Sequence, residues 1–130
     1  MTSRHLQRHV VYLGRVEGRQ KALALAASDL LVIPEWVGLV AVDSLAAAIP
    51  ILTTSHSPEA EYLIHDENSI FVDHSVSTYA KAIQELLCGD SQLQQLTTGC
   101  RSASQSLSIE LMADAFHQGV LSWIESRSEQ

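Results

Sequence analysis

Cysteine is scarce in this chain: Cys88 and Cys100 are the only two in 130 residues. They are too far apart for a C-x-x-C metal ligand pair and too few for a disulfide framework. Basic residues are also few, eight Lys and Arg against fifteen Asp and Glu, for a formal charge of −7. Nucleic acid and anionic membranes both require a clustered basic face, so neither is an expected partner. The acidic residues are scattered with no acidic tail, which reads as a solubility feature. No apolar run approaches the ~18 residues that a membrane-spanning helix needs. Met1–Arg8 is polar and lacks the apolar segment of a signal peptide. These absences predict a cytoplasmic protein with free thiols. The six histidines are dispersed. His5 and His9 share a helix face, but no acidic or thiol partner is near them in sequence, so no metal site is expected. No G-x-G-x-x-G follows any strand, which argues against a dinucleotide-dependent dehydrogenase.

What remains is an ordinary globular composition, 46% apolar, with no internal repeat and no low-complexity linker. The length predicts one domain over residues 1–130. Strand and helix patterns alternate over residues 9–73. Val10–Leu13 is a β-branched and apolar run closed by Gly14 and predicts a strand. Glu17–Ser28 predicts a helix. Leu30–Ile33, stopped by Pro34, is the continuous apolar run of a strand buried on both faces. Gly38–Ala48 predicts a helix ended by Ile49-Pro50. Ile51–Thr53 predicts a strand, Glu59–Ile64 a brief helix, and Ser69–Val72 a fourth strand.

Residues 74–126 read as helical. Tyr79, Ile83, Leu86 and Leu87 mark one helix, closed by Gly89. Leu93 and Leu96 mark a second. Leu111, Met112, Ala115, Phe116, Val120, Trp123 and Ile124 mark a third, with Ser108 as its N-cap. The expected class is α/β: a parallel sheet of about four strands flanked by helices, with a helical C-terminal tail.

Chemistry concentrates in Leu31–Thr54. Between Trp36 and Pro58, with His56 counted as neutral, Asp43 is the one charged residue. Its helical neighbours Leu39, Val40, Ala46 and Ala47 are all apolar. A carboxylate in such surroundings is costly unless something pairs with it. A ligand hydroxyl or a backbone amide could do so. The plainer alternative puts Asp43 at the exposed end of a helix packed by alanines. Gly38, opening the helix directly after a strand, permits close approach of a ligand to the backbone. The free amides of Gly38, Leu39 and Val40 would then face an anion, aided by the helix dipole.

The stretch P-E-W-V-G-L-V-A-V-D-S-L-A-A-A-I-P-I-L resembles the donor-site motif of GT-B retaining glycosyltransferases. Glu35 falls on the first acidic position of that motif and Asp43 on the second, eight residues on. Pro58–Val72, P-E-A-E-Y-L-I-H-D-E-N-S-I-F-V, resembles the family's Glu–hydrophobic–Asp-x-Asn-Gly–hydrophobic segment. V-V-Y-L-G-R-V (Val10–Val16) resembles its strand ending in Leu-Gly. The resemblance covers about residues 9–126 in register. Within it, Asp43 stands where Glu is usual and Val37 where Phe is usual, while Ala48 and Ser69 stand where glycines are common.

The resemblance implies a Rossmann-like C-terminal lobe that binds a nucleotide-diphosphate sugar as donor substrate, with no other cofactor. It assigns Asp43 to the ribose hydroxyls, Glu35 to the neighbourhood of the transferred sugar, and the Gly38, Leu39 and Val40 amides to the diphosphate. Arg15 is the one basic residue placed to assist, with a solvated loop arginine as the plainer reading. The family's preceding strands and N-terminal, acceptor-binding lobe are not found in the sequence. The expectation is therefore a partial lobe, inactive in isolation, partnered by a second copy or by a separate N-terminal lobe. The alternative is a non-catalytic interaction or oligomerisation module derived from a glycosyltransferase.

Overall fold

The structure is a computed structural model in which residues 7–54 and 61–128 are described. In chain order these form α1 (Gly18–Ala26), β1 (Leu31–Val32), α2 (Val40–Ala46), β2 (Ile51–Thr53), β3 (Ser69–Phe71), α3 (Val76–Cys88), α4 (Asp90–Ser104) and α5 (Ile109–Ser128). The sheet is parallel throughout, in the order β1-β2-β3. Leu31 pairs with Ile51 and Val32 with Leu52, while Ile51, Leu52 and Thr53 pair with Ser69, Ile70 and Phe71. The class is α/β, as the alternation of elements predicts.

The strands are short and apolar because both faces are covered. Leu31, Ile33, Ile51 and Phe71 pack on one side with Val37, Ala41 and Leu45 of the α2 region and with Cys100 of α4. Leu30, Val32, Leu52, Ile70 and Val72 pack on the other with Tyr79, Ala82 and Leu86 of α3 and Leu96 of α4. This period-two division is the sheet's own geometry. Helix α4 reaches both clusters, so it closes the sandwich at one end.

Local chemistry sets the helix ends. Ser75 caps α3 by accepting a hydrogen bond from the Thr78 amide at 3.2 Å. Ser108 does the same for α5, accepting from the Leu111 amide at 3.1 Å, as expected from sequence. After α2, Ala48 takes the left-handed conformation with φ 59°, the position where a glycine is usual in the resembling sequences.

Three strands form among the described residues, one fewer than expected. Val10–Leu13 is not a strand. Its side chains are 65%, 79%, 93% and 59% exposed, and no strand lies beside it to complete a ladder. β-Branched composition favours a pleated, half-buried surface and forms no strand without one. Of the brief helix expected over Glu59–Ile64, Glu59 and Ala60 lie outside the described residues. Leu63 and Ile64 are not helical, because the side-chain oxygen of buried Asn68 takes the Ile64 amide at 2.8 Å.

Candidate donor site

The parallel strands end together, and their carboxyl ends carry the acidic segment. Three consecutive backbone carbonyls after β1 are held by three different elements. Tyr79 of α3 donates to the Ile33 carbonyl at 3.3 Å. His74, in the loop after β3, bonds the Pro34 carbonyl through Nδ1 at 2.7 Å, which makes Nδ1 the protonated nitrogen. Thr53 at the end of β2 donates to the Glu35 carbonyl at 3.2 Å. The turn bearing Glu35 is thus fixed from its backbone, and the Glu35 side chain stands free of that task. Burial raises the Tyr79 hydroxyl above its ordinary pKa of 10.0, partly offset by a hydrogen bond with Thr53, so it remains a neutral donor.

Around this turn is a cleft of ≈ 340 Å³ lined by Pro34, Glu35, Trp36, Thr54 and His74. An apolar cleft of ≈ 390 Å³ adjoins it across Pro34 and His74, with Val32, Tyr79 and Ile83 in its walls. Open parallel sheets offer ligand sites at the carboxyl ends of their strands, and this cleft has that position. Glu35 is exposed at its rim and Trp36 is 73% exposed.

Gly38 has a φ of +66°, and a Cβ there would meet nothing within 4 Å. Its role is conformational: it turns the chain from the Glu35 segment into α2. The amides of Ala41 and Val42 turn back onto the carbonyls of Gly38 and Leu39 at 3.1 Å each. Those of Gly38, Leu39 and Val40 precede the helical ladder. Leu39 is 85% exposed, so this end of α2 is open.

Asp43 is half-exposed, on α2, and does not line the cleft at Glu35. Its Oδ2 accepts a 2.7 Å hydrogen bond from Lys21 Nζ of α1, an ion pair whose side chains are 43% and 40% exposed. The isolation of Asp43 among apolar neighbours holds along the sequence but not in space. Sequence reasoning missed Lys21, which lies on another helix, and also the Thr53, His74 and Tyr79 contacts, which no local pattern announces. Arg15 pairs with Glu17 at 2.6 Å in an exposed loop, in line with its plainer reading. Among the described residues no group of three or more His, Cys, Asp or Glu could hold a metal ion. None of the described helices is long and apolar enough to cross a membrane.

A doubly covered parallel sheet, with an acidic turn and a glycine-opened helix at its strand ends, defines a Rossmann-like lobe. The chain belongs to the glycosyl transferases group 1 family, whose pattern matches residues 1–102. Solved structures agree on the fold. Sucrose-phosphate synthase from Thermosynechococcus elongatus superposes with a TM-score of 0.81 at 22% identity, over 94% of this chain and 32% of that one. Anabaena HepE, in complex with UDP, superposes with a TM-score of 0.77 at 18% identity, over 91% of this chain and 34% of that one. The chain thus spans about a third of the length of either GT-B neighbour. No curated protein matches it.

Proposed function

We propose that this chain is a nucleotide-sugar-binding lobe, taking the donor across the carboxyl ends of β1 and β2. The observation that carries the reading is the fixed Glu35 turn, followed through Gly38 by the open end of α2 and then by Asp43. The diphosphate lies against the amides of Gly38, Leu39 and Val40, where backbone dipoles oppose its charge. The ribose is held by Asp43. Lys21 occupies Oδ2 of that carboxylate, and Oδ1 is the oxygen left for a ribose hydroxyl. Glu35 stands nearer the sugar. The location is cytoplasmic, in keeping with the free thiols of Cys88 and Cys100.

Transfer requires an acceptor held against the donor, and such positioning is worth about 7–11 kcal/mol of barrier. Acceptor binding is assigned to a second lobe, and this polypeptide alone is assigned donor binding without useful sugar transfer. Calorimetric titration with UDP and GDP tests the reading. Weak binding by the wild type is expected, and Asp43→Ala should reduce it several-fold. The Lys21–Asp43 ion pair is half-exposed and open to solvent screening, so it contributes about 1 kcal/mol and the variant's melting curve should stay close to that of the wild type. No binding by the wild type at millimolar nucleotide would refute the assignment. A second reading, a non-catalytic interaction module, is favoured by α5, none of whose residues is buried. Self-association without nucleotide binding is the result that selects it.

A further inference from the structure

Lys21 stands in the first turn of α1, where the helix dipole disfavours a cation. The helix itself therefore gives no reason for a lysine at that place, and its partner lies outside α1. Leu25, one turn further on, is the buried residue of this helix, so Lys21 shares the face that α1 turns to the domain. Arg19, two residues earlier, is on the opposite face and exposed. Only a short link joins Ala26 to Leu31. Helix α1 thus ends at the amino end of β1 and begins towards the carboxyl ends of the strands. Helix α2 begins at that same end, after β1, and Asp43 is in its first turn. The two first turns meet there, with Lys21 Nζ 2.7 Å from Asp43 Oδ2. Side-chain exposures of 43% and 40% leave room for a third group at this pair.

We propose that Lys21 is a positioning residue for the ribose of the donor, an inference that rests on the donor-site reading above. An unpaired aspartate turns broadly about χ2, so its two oxygens exchange places. The Lys21 bond ends that freedom: it occupies Oδ2 and leaves Oδ1 as the acceptor for a ribose hydroxyl. Asp43 has one methylene fewer than the glutamate usual in the resembling sequences, and so one torsion fewer to fix. A single bond orients it. The ammonium also offsets the charge of Asp43, which would otherwise repel the diphosphate of the same nucleotide. Lysine suits this task better than arginine. Its ammonium is a point charge that can hold one oxygen, whereas the guanidinium fork matches both oxygens of a carboxylate and would close Oδ1 to the ligand. The pair thereby selects a ribonucleoside diphosphate over its deoxy counterpart.

Titration of the full chain with UDP and with 2′,3′-dideoxy-UDP, followed by NMR, is the test. In the wild type UDP should bind about ten-fold more tightly, the worth of one hydrogen bond to a charged group. Lys21→Met should bring the two affinities near parity. Lys21→Arg should narrow the gap as well, although it keeps the charge. Neither variant should shift the melting curve far, since the pair is open to solvent. An unchanged preference for UDP in Lys21→Met would overturn the proposal. So would equal weakening of both ligands in Lys21→Met beside a Lys21→Arg protein that behaves as the wild type, which assigns Lys21 to charge alone. A wild type that binds both ligands equally would overturn the ribose contact of Asp43, and the role of Lys21 with it. Failure of the donor-site reading looks different: the wild type then binds neither ligand at millimolar concentration, and the proposal falls with that reading.

Discussion

Substituting Gly99 by alanine sets two physical effects against each other. Gly99 lies inside α4, where alanine is the better helix former by about 1 kcal/mol. Propensity alone therefore predicts a more stable protein. The neighbourhood reverses the sign. A Cβ on Gly99 would lie 1.8 Å from the carbonyl oxygen of Glu67 and 2.7 Å from its carbonyl carbon. Both are backbone atoms, so no side chain can swing aside. The loop cannot retreat easily either. Asn68, fully buried, accepts from the Ile64 amide at 2.8 Å and donates to the Tyr62 carbonyl at 3.1 Å. The Cys100 thiol donates to the Asn68 carbonyl at 3.3 Å. Moving α4 instead would open both faces of the core, since Leu96 and Cys100 belong to opposite clusters. Overpacking costs about 1–3 kcal/mol and more where backbone must shift, which exceeds the propensity gain. Gly99→Ala should lose about 2 kcal/mol net, a fall of roughly 5–10 °C in Tm for a domain of this size. Urea denaturation monitored by circular dichroism measures it. Gly119→Ala is the control: a Cβ there meets nothing within 4 Å, so only propensity acts and stability should rise by up to about 1 kcal/mol. A Gly99→Ala protein as stable as the wild type would refute the close-approach argument.

Asn68→Ala removes both side-chain bonds, each worth about 1 kcal/mol, and empties a fully buried site; the urea midpoint should drop by the equivalent of about 2 kcal/mol, and an unchanged midpoint would count against that role. Burial pushes the Cys100 thiol up from 9.0 to about 11, so near pH 8 a thiol reagent should label exposed Cys88 quickly and Cys100 only on unfolding. The raised value means the folded state holds this proton more tightly. The Cys100 contribution to stability is therefore complete below pH ~9 and is lost as the pH rises from ~9 towards 11. Two equally fast thiols in the native protein would contradict the burial.

Much of the sheet was legible because burial on both faces leaves a local mark. Leu30–Ile33 is a continuous apolar run, and Ile51–Thr53 is a short strand pattern just after Ile49-Pro50; the structure places β1 and β2 there. The α5 N-cap was legible for the same reason, since Ser108 and Leu111 are one turn apart. Val10–Leu13 carries the same kind of mark, but a strand also needs a neighbour, and composition cannot report one. The candidate site divides in the same way. Glu35, Gly38 and Asp43 stand out by spacing along one segment. Lys21 stands 22 residues from Asp43 and Tyr79 46 residues from Ile33. Those pairings exist only once α1 and α3 have been packed around the sheet.

The sheet contains no hairpin, and this has a consequence for how the chain is made. Leu31 waits for Ile51, and Ile51 for Ser69, roughly twenty residues further along in each case. Loop closure of that length must precede any strand pairing, so the parallel sheet forms slowly compared with helices of local contacts. On a ribosome, β1 and β2 emerge well before α3 and α4, the helices that cover them. During that interval Ile51 and Leu52, fully buried at the end, face water with no partner. Nascent chains of this protein should therefore draw on chaperones before release, and a translational pause once residue 54 has emerged from the ribosome should increase aggregation, while a pause once residue 104 has emerged should not.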